Sequence, residues 1–179
     1  MKLTSCLALI LFLATVPLRA LAAVDMFLEI DGIEGEAKDR AHPNTINVLA
    51  FSWGMSNSTA SQGAGAGKAG IQDLVVTKSI DKATTQLMQA CATGQHIKKA
   101  VLYLRRGGDN RGGEKAADFF KITMEDIVIS SLAVGNNDGG ERPAESISIN
   151  FAKVKVEYTG GAKGAQNTFE FDLGGHQEN

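Results

Sequence analysis

FFKITMEDIVISSLAV, residues 119–134, changes its apolar phase halfway along. Phe120, Ile122 and Met124 share one face of an extended chain, and the apolar positions then move to Ile127 and Ile129. Side chains in a strand alternate with a period of two, so a switch from even to odd positions means a bulge or a sharp coil. SISINFAKVKVEY (146–158) does the same: Ile147, Ile149 and Phe151 share a face, and the phase then moves to Val154, Val156 and Tyr158. Two such strands predict a mainly β fold with a strongly curved sheet or a small closed barrel.

The flanking sequence supplies the remaining strands. VDMFLEI (24–30), INVLAFSWGMS (46–56), IQDLVVTKSI (71–80), KKAVLYLRR (98–106) and NTFEFDL (167–173) all read as β. The 46–56 segment carries apolar side chains on both faces, which predicts that one face packs on the core and the other meets a partner. Phe169, Phe171 and Leu173 share a face of the last strand. DKATTQLMQACATG (81–94) is the one helical segment. Leu87, Met88 and Cys91 form its apolar side, Asp81 or Thr84 caps its start, and Gly94 ends it. Glycine-rich runs, including NSTASQGAGAGKAG (57–70), separate the strands. A loop of that length without its own structure usually has a task.

The N-terminus reads differently. Lys2, the apolar run around LALILFLATV, and small residues at Ala20 and Ala22 make a secretory leader with cleavage between Ala22 and Ala23. The apolar run is short for a membrane span. The expected organisation is a cleavable signal peptide over 1–22 and one β domain over 23–179. That predicts a secreted or periplasmic protein with no stable membrane insertion after cleavage, and cytoplasmic assembly if the leader is not used. Losing Lys2 and Arg19 takes the formal charge from −2 to −4, which argues against nucleic acid as a partner. Cys6 leaves with the leader, so Cys91 stands alone and no intrachain disulfide can form.

Chemistry is sparse. GAGAGKA (63–69) has three residues between Gly63 and Gly67-Lys68 where a phosphate loop has four. Ala69 occupies the place of the magnesium-binding hydroxyl. His42, His96 and His176 have no metal spacing. Cys91 and His96 could be drawn as a nucleophile pair, but a small apolar cysteine on the core side of the helix is the simpler reading. No catalytic, cofactor-binding or metal-binding residue is expected, nor enzymatic activity.

AVDMFLEIDGIEGEAKDRAH (23–42), INVLAFSWGMS, DLVVTKSIDKAT (73–84), GQHIKKAVLYLRRGG (94–108) and ESISINFAKVKVEY (145–158) together resemble the haemolysin-coregulated protein family, Hcp, the tube proteins of the type VI secretion system. The resemblance runs in order from about residue 23 to residue 160. It implies a small curved β-barrel of two packed antiparallel sheets with one flanking helix, and a homohexameric ring. It also implies rings stacked into a tube, effector proteins in the lumen, and sheath and spike proteins as partners. Phe51, Ser52, Trp53 and Gly54 would belong to a subunit-contact strand. The loop carrying Asn57, Ser58, Gly63, Gly65, Gly67, Lys68 and Gly70 would help rings stack. Two features depart from the family pattern. A Phe-Glu-Phe-Asp-Leu tail replaces the usual Gly-Trp-Asp or Gly-Trp-Asn strand. A leader is joined where family members commonly begin with Met-Ala-Val-Asp-Met-Phe. The alternative is an exported Hcp-like binding module or effector that builds no tube.

Overall fold

The computed structural model describes residues 24–57, 69–106, 118–135, 143–160 and 165–174. The strands are β1 (Val24–Ile30), β2 (Ile46–Asn47), β3 (Ala50–Ser52), β4 (Met55–Asn57), β5 (Ala69–Ile71), β6 (Leu74–Ser79), β7 (Ile97–Arg106), β8 (Asp118–Gly135), β9 (Ala144–Gly160) and β10 (Ala165–Asp172). One helix, α1 (Thr84–Thr93), lies between β6 and β7. All pairings are antiparallel. Eight strands form one sheet in the order β2-β1-β7-β8-β9-β6-β3, with β10 alongside β9, and β4 and β5 form a separate two-stranded sheet.

The mainly β, antiparallel, one-helix reading holds, with one refinement. The large sheet curls but is not closed by a continuous ladder. Its end strands are β2 and β3, which are consecutive in the chain. The segment expected as one strand over 46–56 is broken into three. It leaves one sheet end and joins the other: Val48 N–H donates to Met26 of β1 (3.0 Å), and Leu49 N–H to Thr77 of β6 (2.8 Å). The 71–80 strand divides likewise, because Gln72 N–H turns to the Gly54 carbonyl (3.0 Å).

The switch of phase is where the sequence places it. Met124 pairs with Val154 and Ile127 with Phe151, and all four are buried. Between these rungs Glu125 faces Lys153, both exposed. Asp126 adopts a left-handed conformation (φ 49°), unusual for a residue with a Cβ. Farther along β8 the register shifts between Ile129 and Ser131. The core gathers Leu28, Ile46, Leu74, Leu102, Ile122 and Ile149 from every side of the curl.

α1 seats Ala83, Leu87 and Ala90 on this core. Met88, expected beside Leu87, is 42% exposed, because a one-residue step turns a helical side chain well off the contact face. Asp81 does serve the helix start, its Oδ1 accepting the Ala83 N–H (2.9 Å). Gly94 ends the helix in a left-handed conformation (φ 62°) and donates to Cys91 O. Among the described residues no helix is long and apolar enough to cross a membrane.

Candidate functional site

Of the four residues expected on the contact strand, three are anchored and one is exposed. Phe51 and Trp53 pack against the core cluster. Trp53 Nε1–H donates to the Gln72 carbonyl (3.0 Å), and its ring meets Phe151 at a centroid distance of 6.3 Å. Gly54 returns the contact by accepting the Gln72 N–H. Ser52 is exposed, as are Leu49 (57%) and Met55 (51%) on either side of it. The anchored Trp53 thus holds an exposed apolar margin in place.

From that margin β4 and β5 leave as a ribbon, with Met55 opposite Ile71, Ser56 opposite Gly70 and Asn57 opposite Ala69. Asn57 and Gly70 of the expected stacking loop stand at the ribbon's end. Ser58, Gly63, Gly65, Gly67 and Lys68 lie outside the described residues, as do Ala20, Ala22 and Ala23 of the expected cleavage site.

Register divides the outward side of the large sheet into two chemically distinct regions. Across β3, β6, β9 and β8 the outward rows read Ala50–Thr77–Ser146–Ala133 and Ser52–Val75–Ser148–Ser131. Neither row contains a charge. Across β7, β8, β9 and β10 an outward row reads Lys99–Glu125–Lys153–Asp172, alternating in sign. Lys153 Nζ lies 3.0 Å from Asp172, which raises the lysine's pKa. One row away, Lys121 (2.6 Å) and Lys155 (3.2 Å) bracket Glu157 and hold its carboxyl below the usual range. Exposed ion pairs of this kind contribute little each, because water screens them. The charged region neutralises itself, whereas the uncharged region presents small hydroxyl and aliphatic side chains.

Two polar clusters escaped the sequence reading. Lys78 faces inward from β6 and is wholly buried. Its Nζ reaches Glu145 of β9, Asp81 Oδ1 (2.7 Å), Ser79 O (2.9 Å) and Thr84 Oγ1 (3.3 Å). The inward alternation Leu74, Val76, Lys78 is the signal that could have found it. The other cluster fastens the 33–45 loop to the outside of β1 and β7. There Arg105, Phe27, His42 and Tyr103 stack in sequence. The Arg105 guanidinium lies 5.0 Å from the Phe27 centroid, and the ring centroids are 4.9 and 4.4 Å apart. Arg105 grips Asp39 with both terminal nitrogens, which drives the Asp39 carboxyl far below its ordinary range. His42 Nε2 pairs with Asp118 (3.0 Å). Burial, followed by the hydrogen bond to Glu29, raises the Tyr103 phenol.

These are fastenings rather than reaction centres. His96 does not meet Cys91. Its Nδ1 donates to Asp126 (2.7 Å) in an open cleft of about 400 Å³ that also includes Lys98 and Lys153, while Cys91 packs on the core. Among the described residues no three His, Cys, Asp or Glu side chains could share a metal ion.

Comparison with known proteins agrees with this geometry. The family described as "Type VI secretion system effector, Hcp" matches residues 27–158. Protein hcp1 of Pseudomonas aeruginosa is 44% identical over 139 residues, 76% of this chain and 83% of that protein. Hcp1 from Salmonella typhimurium superposes with a TM-score of 0.72 at 30% identity, covering 86% of this chain and 97% of its own. A type VI secretion system effector from Yersinia pestis gives 0.68 at 30% identity, covering 83% and 99%. This chain therefore belongs to the Hcp family of the type VI secretion system.

Proposed function

We propose that the chain is a structural, non-catalytic subunit that assembles into hexameric rings, and that the rings stack into a tube. Effector proteins occupy the lumen, and sheath and spike proteins are the outer partners. The leader over 1–22 is removed, and residues 23–179 act as the exported domain. The observation that carries this reading is the exposed apolar margin of Leu49 and Met55 beside two outward sheet rows that contain no charge. A solitary domain gains nothing from leaving such a margin in water, whereas a head-to-tail contact repeated around a closed ring covers it in every subunit. The β4–β5 ribbon supports the stacking role, since it is a two-stranded sheet separate from the large one and its strands flank the glycine-rich segment in the sequence.

Light scattering on residues 23–179 tests the assembly. The expected mass is that of a hexamer, the same with and without thiol reductant, because Cys91 has no partner cysteine in the domain. A monodisperse monomer at micromolar concentration would overturn the ring and favour the exported binding module.

A further inference from the structure

The large sheet and the ribbon meet at two residues. The β6 ladder to β9 ends at Leu74, opposite Ile149, and the β5 ladder to β4 begins at Ile71, opposite Met55. Gln72 and Asp73 form the joint between them. Gln72 is fastened through its main chain: its N–H donates to the Gly54 carbonyl (3.0 Å), and its carbonyl accepts the Trp53 Nε1–H (3.0 Å). Asp73 is fastened through its side chain. Its Oδ1 accepts from Asn150 Nδ2 of β9 (2.8 Å), and its Oδ2 accepts from Ser130 Oγ of β8 (2.5 Å). Ser130 comes to this place by an irregularity in the ladder. Ile129 lies opposite Ile149 and Ser131 opposite Ser148, so Ser130 is the extra residue of a β-bulge. A bulge re-aims a side chain, and the hydroxyl turned out of the ladder is the one that meets Asp73. The Ser148 carbonyl lies farther from that hydroxyl (3.1 Å), so its single proton goes to the carboxylate, the stronger acceptor.

We propose that Asp73 is the positioning residue of the ribbon: through Ser130 and Asn150 it fixes the angle at which β4 and β5 stand to the large sheet, and so sets how the ribbon meets a neighbouring ring. The last step rests on the stacking role given under Proposed function. Trp53 and Gly54 tie the two arms of the ribbon to each other at Gln72, which closes its root without fixing its angle. Asp73 ties that root to β8 and β9. Two bonds from one carboxylate to adjacent strands resist both swing and twist, which a single bond does not. Without them the β3–β6 pairing and the Trp53–Phe151 contact remain, so the domain stays folded while the ribbon samples a range of angles. A ribbon held at one angle loses less freedom on docking, and contact between rings is stronger for it.

The test uses the full chain, whose one tryptophan is Trp53 at the root of the ribbon. Asp73→Ala removes both acceptors, and Ser130→Ala removes one of the two bonds from the β8 side. Asp73→Asn keeps a carbonyl for Asn150 and offers an amide N–H to the Ser130 oxygen. Ser131→Ala is the control, since that hydroxyl pairs with Ser148 Oγ (2.8 Å). Quenching of Trp53 by acrylamide, a neutral probe indifferent to the lost charge, should rise at least about two-fold in Asp73→Ala, less in Ser130→Ala, and stay near the wild-type value in Asp73→Asn and Ser131→Ala. Light scattering should give the wild-type mass for every variant, while ring stacks seen by electron microscopy should shorten at least about three-fold in Asp73→Ala and recover in Asp73→Asn. Unchanged quenching in both Asp73→Ala and Ser130→Ala, or no rescue by Asp73→Asn, would overturn the positioning role. A loosened Trp53 with stacks of wild-type length would overturn the link to stacking. A wild type that forms no stacks would remove the stacking role instead, and the quenching would still decide whether Asp73 holds the joint.

Discussion

Lys78 occupies a core position that an aliphatic residue would normally fill. Its side chain is 0% exposed, and so is that of Glu145. Replacing it as Lys78→Met keeps most of the volume but removes the only cation in contact with Glu145 among the described residues. Among the described residues Glu145 Oε2 has no hydrogen-bond partner, and Oε1 would retain only the Thr84 hydroxyl (3.1 Å). Asp81 is better placed, at 9% exposure and with the Ala83 N–H, so the stranded Glu145 dominates. Breaking a buried ion pair from one side costs about 3–5 kcal/mol. With a urea slope of about 2 kcal/mol/M, the unfolding midpoint should fall by about 1.5–2.5 M. The double variant Lys78→Met, Glu145→Leu removes both charges together and should recover most of that loss, because the desolvation penalty disappears with the attraction. The assay is urea denaturation at one fixed protein concentration, since assembly shifts apparent stability. A fall of less than about 0.5 M for the single variant, or a double variant no better than the single, would refute the reasoning.

Two further outcomes are expected. Gly35→Ala should destabilise by about 3 kcal/mol in the same assay, because a Cβ there would overlap the Thr45 and Ile46 backbone, which cannot swing aside as a side chain can. Acidification should lower the melting temperature. Asp39 and Glu157 have folded pKa values below their unfolded ones, so their stabilisation is present above about pH 4 and is lost as pH falls toward the folded values. Asp39→Asn should flatten this acid limb, and a melting temperature unchanged between pH 5 and pH 2.5 would count against the Arg105–Asp39 grip.

The sequence discloses periodicity well and pairing poorly. Phe120, Ile122 and Met124 against Ile127 and Ile129 announce the bend because burial obeys alternation on either side of it. The breaks within 46–56 were hidden, because Val48 and Leu49 change neighbours without any change in residue type. The alternating row of Lys99, Glu125, Lys153 and Asp172 draws one residue from each of four strands. It is invisible until register is known, since a one-residue slip would turn each member to the other face. Lys78 was missed for a different reason. A lysine reads as a surface residue, and only its buried partners Glu145 and Asp81 make an inward position tenable.

The bend also accounts for the unusual tail. In both β8 and β9 the apolar phase changes at the same level, between the Met124–Val154 and Ile127–Phe151 rungs, so the two strands turn together. The left-handed Asp126 takes up the distortion on one strand, and its carboxylate is held by His96. On the other strand the Ala152 carbonyl accepts the Leu173 N–H (2.8 Å). That bond anchors the end of β10 where β9 turns, and Phe171 and Leu173 both pack against the core. Phe169, two residues earlier, stacks with Phe171 at 6.4 Å yet stays 40% exposed. Phe171 and Leu173 reach the core, while Phe169, on the same face, lies at its exposed margin. Substituting Phe171 should thus weaken the fold, whereas Phe169 is free to change with little effect on the folded domain.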